Sequence, residues 1–259
     1  MRYTQENSKL LHKAEIAPGI YNFTLSAPEI AKAAAAGQFV NVLCGAHTLR
    51  RPISICGFDA SLGILRLVFE IRGKGTEWLA GREAGETVDL VGPLGHGFPL
   101  LETEKRAVMV GGGIGTPPLL PLVRHYGANA TAITGFRSGS AAILQDDMAA
   151  MGAGLILCTD DGSAGFHGFT TQALEAHLDK QACDVVYTCG PKVMMRGVAR
   201  LAEERGILCY VSMEERMACG VGACLGCATP IRRDDGSVTY LHVCKDGPVF
   251  EAERVVFDD

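Results

Sequence analysis

From Gly19 to Val91 apolar and polar residues alternate in short runs. Gly19-Ile-Tyr-Asn-Phe-Thr-Leu-Ser26, Gln38-Phe-Val-Asn-Val-Leu43, Gly63-Ile-Leu-Arg-Leu-Val-Phe-Glu-Ile71 and Glu86-Thr-Val-Asp-Leu-Val91 share this pattern, with turn residues between them. A period of two puts every second side chain on one face, as a half-buried strand requires. Runs spaced roughly ten to twenty residues apart predict an antiparallel β-barrel or sandwich, assigned here to residues 1–101. The residues ahead of Gly19 read as a polar lead. Pro28 and the alanines of Ala27–Ala36 predict a helical turn or loop, and Thr76–Ala80 one short helix. After residue 101 the period changes. Arg106–Val110, Ala130–Thr134, Gly154–Cys158, Cys183–Tyr187 and Ile207–Val211 are short apolar runs. Between them lie helix-like segments at Pro117–His125, Ala141–Met151, Thr171–His177 and Pro191–Glu204. Strands alternating with helices predict a doubly wound parallel α/β sheet, over residues 102–211. Residues 212–259 complete the chain as a small module, with a hairpin after Cys227 and a last strand at Glu253–Phe257.

The composition fits this division. At 259 residues, 47% hydrophobic and 20% charged, the chain has core material for two domains and a module. A net charge of −5 disfavours nucleic acid, which calls for a basic face. No run of eighteen or more apolar residues occurs, so no membrane span is expected. The polar Met1–Asn7 stretch does not read as a signal segment. Ten cysteines in a chain of this size point to a reducing, cytoplasmic setting rather than a disulfide framework. Cys44, Cys56, Cys158, Cys183 and Cys209 sit singly in apolar surroundings and are expected in the core. His125 and His167 have no partner pattern and are expected to be structural.

The other cysteines change the picture. Cys219-Gly-Val-Gly-Ala-Cys224-Leu-Gly-Cys227 has the spacing C-x4-C-x2-C, and Cys244 follows after sixteen residues. This is the spacing of plant-type [2Fe–2S] loops, where three thiolates on one tight turn and a fourth from a remote strand hold two irons. Gly220, Gly222 and Gly226 supply backbone freedom for such a turn. Four cysteines also suit a zinc ion, although zinc sites more often pair short C-x2-C units.

Two upstream motifs bear on what feeds such a cluster. Arg50-Arg51-Pro52-Ile53-Ser54-Ile55 resembles the R-x-x-S flavin signature of the ferredoxin–NADP reductase superfamily; an arginine fork suits a pyrophosphate. Gly73-Lys74-Gly75-Thr76 opens the short helix, and a glycine-led helix start is a place for an anion. The resemblance implies FAD held by Arg51, Pro52, Ile53, Ser54, Val68, Phe69, Glu70, Gly75 and Thr76, with Gly92-Pro-Leu-Gly95 closing the barrel. Further on, Gly111-Gly-Gly-Ile-Gly-Thr-Pro-Pro118 follows a strand and precedes a helix. It departs from the G-x-G-x-x-G fingerprint, with a proline in place of the third glycine and no acidic residue after the second strand. It is similar to the G-G-G-x-G-x-x-P form of reductase nucleotide domains, which implies NAD contacts at Gly113 and Gly115. The C-G-P at Cys189-Gly190-Pro191 implies a place for the nicotinamide beside the flavin. A tight strand-to-helix turn is the alternative reading of either motif. Arg137 leaves NAD and NADP both open.

In the order of these parts, and in Glu215–Cys227 and Val243–Phe250, the chain resembles the electron-transfer subunits of NAD-dependent dihydroorotate dehydrogenase. The resemblance implies Cys219, Cys224, Cys227 and Cys244 as cluster ligands, with FAD and diffusible NAD. It also implies an FMN-containing catalytic partner that makes orotate for pyrimidine synthesis, in a heterotetramer of two each. Electrons would pass from FMN through the cluster and FAD to NAD⁺. No residue for dihydroorotate chemistry is expected on this chain, and Met213, Met217 and Leu225 are candidate partner contacts. The alternative is an NAD(P)H-dependent flavin and iron–sulfur subunit serving a ferredoxin, a hydrogenase or a sulfite reductase.

Overall fold

A computed structural model describes residues 3–257. Met1, Arg2, Asp258 and Asp259, at the ends of the first and last expected domains, lie outside the described residues. The chain packs as two compact units. One comprises the residues up to Phe98 with Glu214–Thr229 and Leu241–Pro248; the other comprises Pro99–Met213, Pro230–Tyr240 and the residues from Val249. Residues 212–259, the expected C-terminal module, are shared between the two units.

In the first unit, β1 (Thr4–Ala17), β2 (Ile20–Ser26), β3 (Phe39–Val42), β4 (Arg51–Asp59), β5 (Ile64–Glu70) and β6 (Thr87–Leu94) close an antiparallel barrel in the order β1-β2-β5-β4-β3-β6. Helices α1 (Pro28–Ala33) and α2 (Lys74–Ala80) lie in the connections. The expected barrel is present, but the expected polar lead is its longest strand. β1 pairs with β2 along one edge and β6 along the other. Both edges are thus satisfied by backbone, and burial of Ser8, Leu10 and Ala17 suffices to seat it. Inward residues of every strand meet in one core, where Phe23 packs edge-to-face on Phe69 with ring centroids 5.0 Å apart. At the barrel's end Gly95 (φ +76°) faces the Gly247-Pro248 turn, and His96 N–H donates to the Gly247 carbonyl at 2.6 Å.

In the second unit, β7 (Ala107–Gly112), α3 (Leu120–Tyr126), β8 (Ala130–Phe136), α4 (Gln145–Ala150), β9 (Gly154–Thr159), β10 (Phe166–His167), α5 (Thr170–Leu178), β11 (Val185–Cys189), α6 (Lys192–Glu204) and β12 (Leu208–Ser212) alternate as expected. After the hairpin β13 (Ala228–Arg232) and β14 (Val238–His242), β15 (Val249–Glu251) joins this sheet, whose order is β10-β9-β8-β7-β11-β12-β15. All pairs are parallel except β12–β15. The last strand is thus Val249–Glu251, not Glu253–Phe257, because Ala252–Arg254 turns as a 3-10 helix. The predicted helix at Ala141–Met151 is shortened to Gln145–Ala150, since Leu144 takes a left-handed φ of +64°. His125 Nε2 lies 2.9 Å from the Leu101 carbonyl, which agrees with a structural role; His167 is exposed. Cys44, Cys56, Cys158 and Cys209 are buried as expected, while Cys183 is half-buried.

Candidate functional site

The four cysteines of the C-terminal motif all belong to the barrel unit. Cys227 stands just before β13 and Cys244 just after β14, so the hairpin base returns the chain to its start. Val243 N–H donates to the Cys227 carbonyl at 3.0 Å, and the two Sγ atoms lie 3.2 Å apart. Cys219 and Cys224 form the second pair: Cys224 N–H donates to Cys219 Sγ at 3.4 Å, and the two thiols also contact each other. The sulfurs are gathered two and two. A two-iron cluster needs that donor set, one pair of thiolates to each iron. A single tetrahedral ion would instead draw all four to one centre.

The loop also aims N–H groups at the sulfurs. Val221 and Ala223 donate to Cys219 Sγ at 3.5 and 3.2 Å, and Gly222 donates to Cys244 Sγ at 3.2 Å. Burial raises the Cys219 pKa, but the donors from Val221, Cys224 and Ala223 outweigh it and bring the thiol down to about 6. Burial, then the Cys227 thiol beside it, pushes Cys244 up to about 12. Gly220 and Gly222 have φ of +70° and +79°, so the turn does require them. A Cβ at Gly220 would strike Asn41 Nδ2, and one at Gly222 would lie 2.6 Å from Lys245 Cδ. Gly226 takes no left-handed φ, and its freedom is not needed. At the loop tip Leu225 is 79% exposed, Met217 is half-buried, and Met213 is buried in the other unit.

On the barrel, β4 separates its motif residues by face. Ile53 and Ile55 enter the core, while Pro52 is exposed and Ser54 half-buried on the opposite face. The two arginines have different tasks. Arg50 holds Asp89 through two hydrogen bonds, at 2.9 and 3.1 Å. Arg51 pairs with no carboxylate among the described residues; its Nη1 donates to the Leu49 carbonyl at 2.9 Å. Its side chain lies against Gly75, where a Cβ would come within 2.5 Å of Nε. Strand and glycine turn therefore meet at one guanidinium, and the bare backbone of Gly75 is what admits it. These residues fit a pyrophosphate-bearing cofactor. The Thr76 hydroxyl pins the turn instead, accepting from Arg72 N–H at 2.8 Å and donating to the Gly73 carbonyl at 3.1 Å. Phe69 belongs to the core, Val68 is buried, and Glu70 pairs with Arg72 at 2.7 Å. The side chain of Phe69 is thus engaged away from a cofactor.

In the second unit the glycine turn after β7 and the Cys189-Gly190-Pro191 turn after β11 are neighbours. Cys189 is in register with Gly111, and a Cβ at Gly115 would run into the Cys189 carbonyl. A Cβ at Gly112 would lie 2.7 Å from Met194 Sδ and 2.8 Å from Pro191 Cδ. Gly113, with φ +53°, has open space where its Cβ would be. From β7 the sheet grows one way to β8 and the other way to β11, so the two turns flank its switch point, where open α/β sheets bind ligands. Gly113, Gly115 and Cys189 come together there. Arg137 is exposed beyond β8. Asn41, Asp89 and Lys245 carry no motif of their own; their importance lies in contacts with residues distant in the chain.

A closed six-stranded barrel, a doubly wound sheet and a four-cysteine loop together define a ferredoxin reductase-like electron-transfer protein. A solved NADH-dependent reduced ferredoxin-NADP oxidoreductase superposes with a TM-score of 0.86 at 28% identity, over 97% of this chain and 90% of that one. A ferredoxin NADP⁺ reductase from Neisseria gonorrhoeae, at 19% identity and a TM-score of 0.62 over 83% and 95% of the chains, shares the fold. The iron-sulfur cluster binding domain of dihydroorotate dehydrogenase B matches residues 214–256. The electron transfer subunit of dihydroorotate dehydrogenase B (NAD(+)) from Desulforamulus reducens is 38% identical over 97% of this chain and 98% of its own length. That from Geobacillus kaustophilus is 42% identical over 93% and 94%. The chain belongs to this family of dihydroorotate dehydrogenase B electron-transfer subunits.

Proposed function

We propose that this chain carries electrons from an FMN-containing dihydroorotate dehydrogenase subunit to NAD⁺, as the oxidoreductase half of a pyrimidine-synthesis enzyme. The observation that carries the reading is the set of four cysteines, paired two and two, on the same unit as the Arg51–Gly75 cradle. Cys219, Cys224, Cys227 and Cys244 are assigned to a [2Fe–2S] cluster. Arg51, Pro52, Ile53, Ser54, Val68, Phe69, Glu70, Gly75 and Thr76 are assigned to FAD, with Val68, Phe69 and Thr76 acting through backbone. Gly113, Gly115 and Cys189 are assigned to NAD. When bound, a cluster supplies single-electron exchange and a flavin joins it to two-electron hydride chemistry, while the protein places and tunes them. The chain's own task is then positional. Arg51 neutralises phosphate charge, loop N–H groups stabilise sulfur charge, and the bare turns at Gly113 and Gly115 admit the dinucleotide backbone.

Leu225 at the exposed loop tip is proposed to meet the catalytic partner, in an assembly of two subunits of each kind. No helix among the described residues is long and apolar enough to cross a membrane. None of the ten cysteines, all of them among the described residues, is in a disulfide, which suits the reducing cytoplasm proposed as its setting. The test is to purify the chain with the FMN-containing subunit, weigh the complex by light scattering, and follow NAD⁺ reduction by dihydroorotate. The expected result is turnover that depends on both subunits; a stable complex without such turnover would refute the assignment. Likeness to the ferredoxin-NADP oxidoreductase supports a second reading, in which reduced ferredoxin is the exchange partner. Ferredoxin-dependent, dihydroorotate-independent NAD⁺ reduction would select it.

A further inference from the structure

Strand β3 reads Phe39-Val-Asn-Val42, and Val40 and Val42 enter the barrel core. Asn41 therefore points outward, yet it is only 2% exposed. The cluster loop covers it: Nδ2 donates to the Cys219 carbonyl at 3.4 Å, and the missing Cβ of Gly220 leaves room for that same nitrogen. Its backbone is fixed as firmly. Arg50 Nη1 donates to the Asn41 carbonyl at 3.3 Å while held on Asp89. In the antiparallel register Asn41 stands opposite Pro52 of the flavin-signature strand. Directly opposed residues share a face and lie within side-chain contact. The amide thus stands between the outward face of β4 and the first cysteine arm. Its Oδ1 is buried with no donor among the described residues. A buried amide with one unmet group is unfavourable in a strand that an aliphatic side chain would fill, so packing alone does not account for it.

We propose that Asn41 is a positioning residue that fixes the Cys219 arm of the iron–sulfur loop to the flavin-side face of the barrel, and thereby governs electron exchange between the two cofactors. The proposal rests on the functional reading above. The Cys219 sulfur takes N–H bonds from Val221, Ala223 and Cys224, so a shift of this arm changes the bonds that set the cluster's potential. The test uses the complete complex with Asn41→Leu, which keeps size without hydrogen bonding, and Asn41→Asp, which keeps shape but removes the donor. Iron, acid-labile sulfide and FAD per chain are measured, with the EPR spectrum of the reduced cluster and the rate of its reduction by NADH. The expected result is retained FAD and cluster, a shifted EPR spectrum, and cluster reduction slowed roughly tenfold or more, as for outer-shell partners of other metal sites. Loss of iron and sulfide with FAD retained also supports the proposal. Wild-type spectra and rates in both variants overturn it. So does joint loss of FAD and cluster, which would make Asn41 a general support of the barrel. An iron-free wild-type protein would overturn the functional reading and this proposal with it, before any variant is made.

Discussion

Arg50 and Arg51 are adjacent in sequence and opposite in function. Arg50 is half-buried and doubly bonded to Asp89, so its charge is already matched within the barrel. Arg51 reaches over Gly75 with no acidic partner among the described residues, and its unmatched charge is what a pyrophosphate would meet. Arg51→Ala is therefore expected to weaken FAD binding by about 10–100-fold, the worth of one charge-assisted hydrogen bond or two, while leaving cluster absorbance intact. Arg50→Ala is expected to keep FAD and to lower unfolding stability by about 1–3 kcal/mol, because Asp89 is left half-buried with the Gln5 amide but no cation beside it. Flavin titration and denaturant unfolding of both variants separate the two effects. Equal loss of FAD in both would show that the cradle depends on the whole basic pair. The sequence displays R-R and cannot rank its members, since the ranking comes from Asp89 on a distant strand.

At the scale of elements, legibility followed how local the cause was. The alternating strands and the βα repeats announced themselves through their own period, and the cysteine loop through its spacing. Strand β1 did not, because its place comes from backbone pairing with β2 and β6 and only a few of its residues are buried. β15 was misplaced for a similar reason: the Gly247-Pro248 turn and β12 choose which apolar residues pair. The nucleotide turns were legible as glycine-rich, but not as neighbours. That juxtaposition carries its own prediction. In Gly115→Ala the new methyl meets the Cys189 carbonyl, which belongs to another strand and cannot yield alone. Overpacking of this kind costs roughly 1–3 kcal/mol, and the strain falls where the two turns meet. NADH-dependent reduction of an artificial acceptor should show a raised KM, with FAD and cluster content unchanged. A wild-type KM would separate the Gly115 turn from the nucleotide.

Over the whole molecule the question is whether cluster and flavin sites, both on the barrel unit, stand or fall together. The barrel core of β1 to β6 closes without any cysteine of the cluster motif, and Arg51, Ser54 and Gly75 are set by β4, β5 and α2. Within this unit the cluster segments meet the barrel strands where Asn41 lies at Gly220 and where the Gly247-Pro248 turn lies at Gly95 and His96, while Lys245 packs on Gly222 inside the cluster segments themselves. Cys224→Ser should therefore abolish the cluster's visible absorbance and leave FAD bound, giving a yellow protein. Reduction of an artificial acceptor by NADH should persist, because the nucleotide turns lie in the other unit and the flavin cradle in strands that the loop does not build. Dihydroorotate-dependent NAD⁺ reduction in the complex should fall to background, since the electron entry is gone while the exit remains. Loss of FAD together with the cluster would mean that the loop's contacts at Asn41 and Gly95 hold the barrel itself. The two absorbance bands, read on one purified sample, distinguish a relay of separable sites from a single cooperative one.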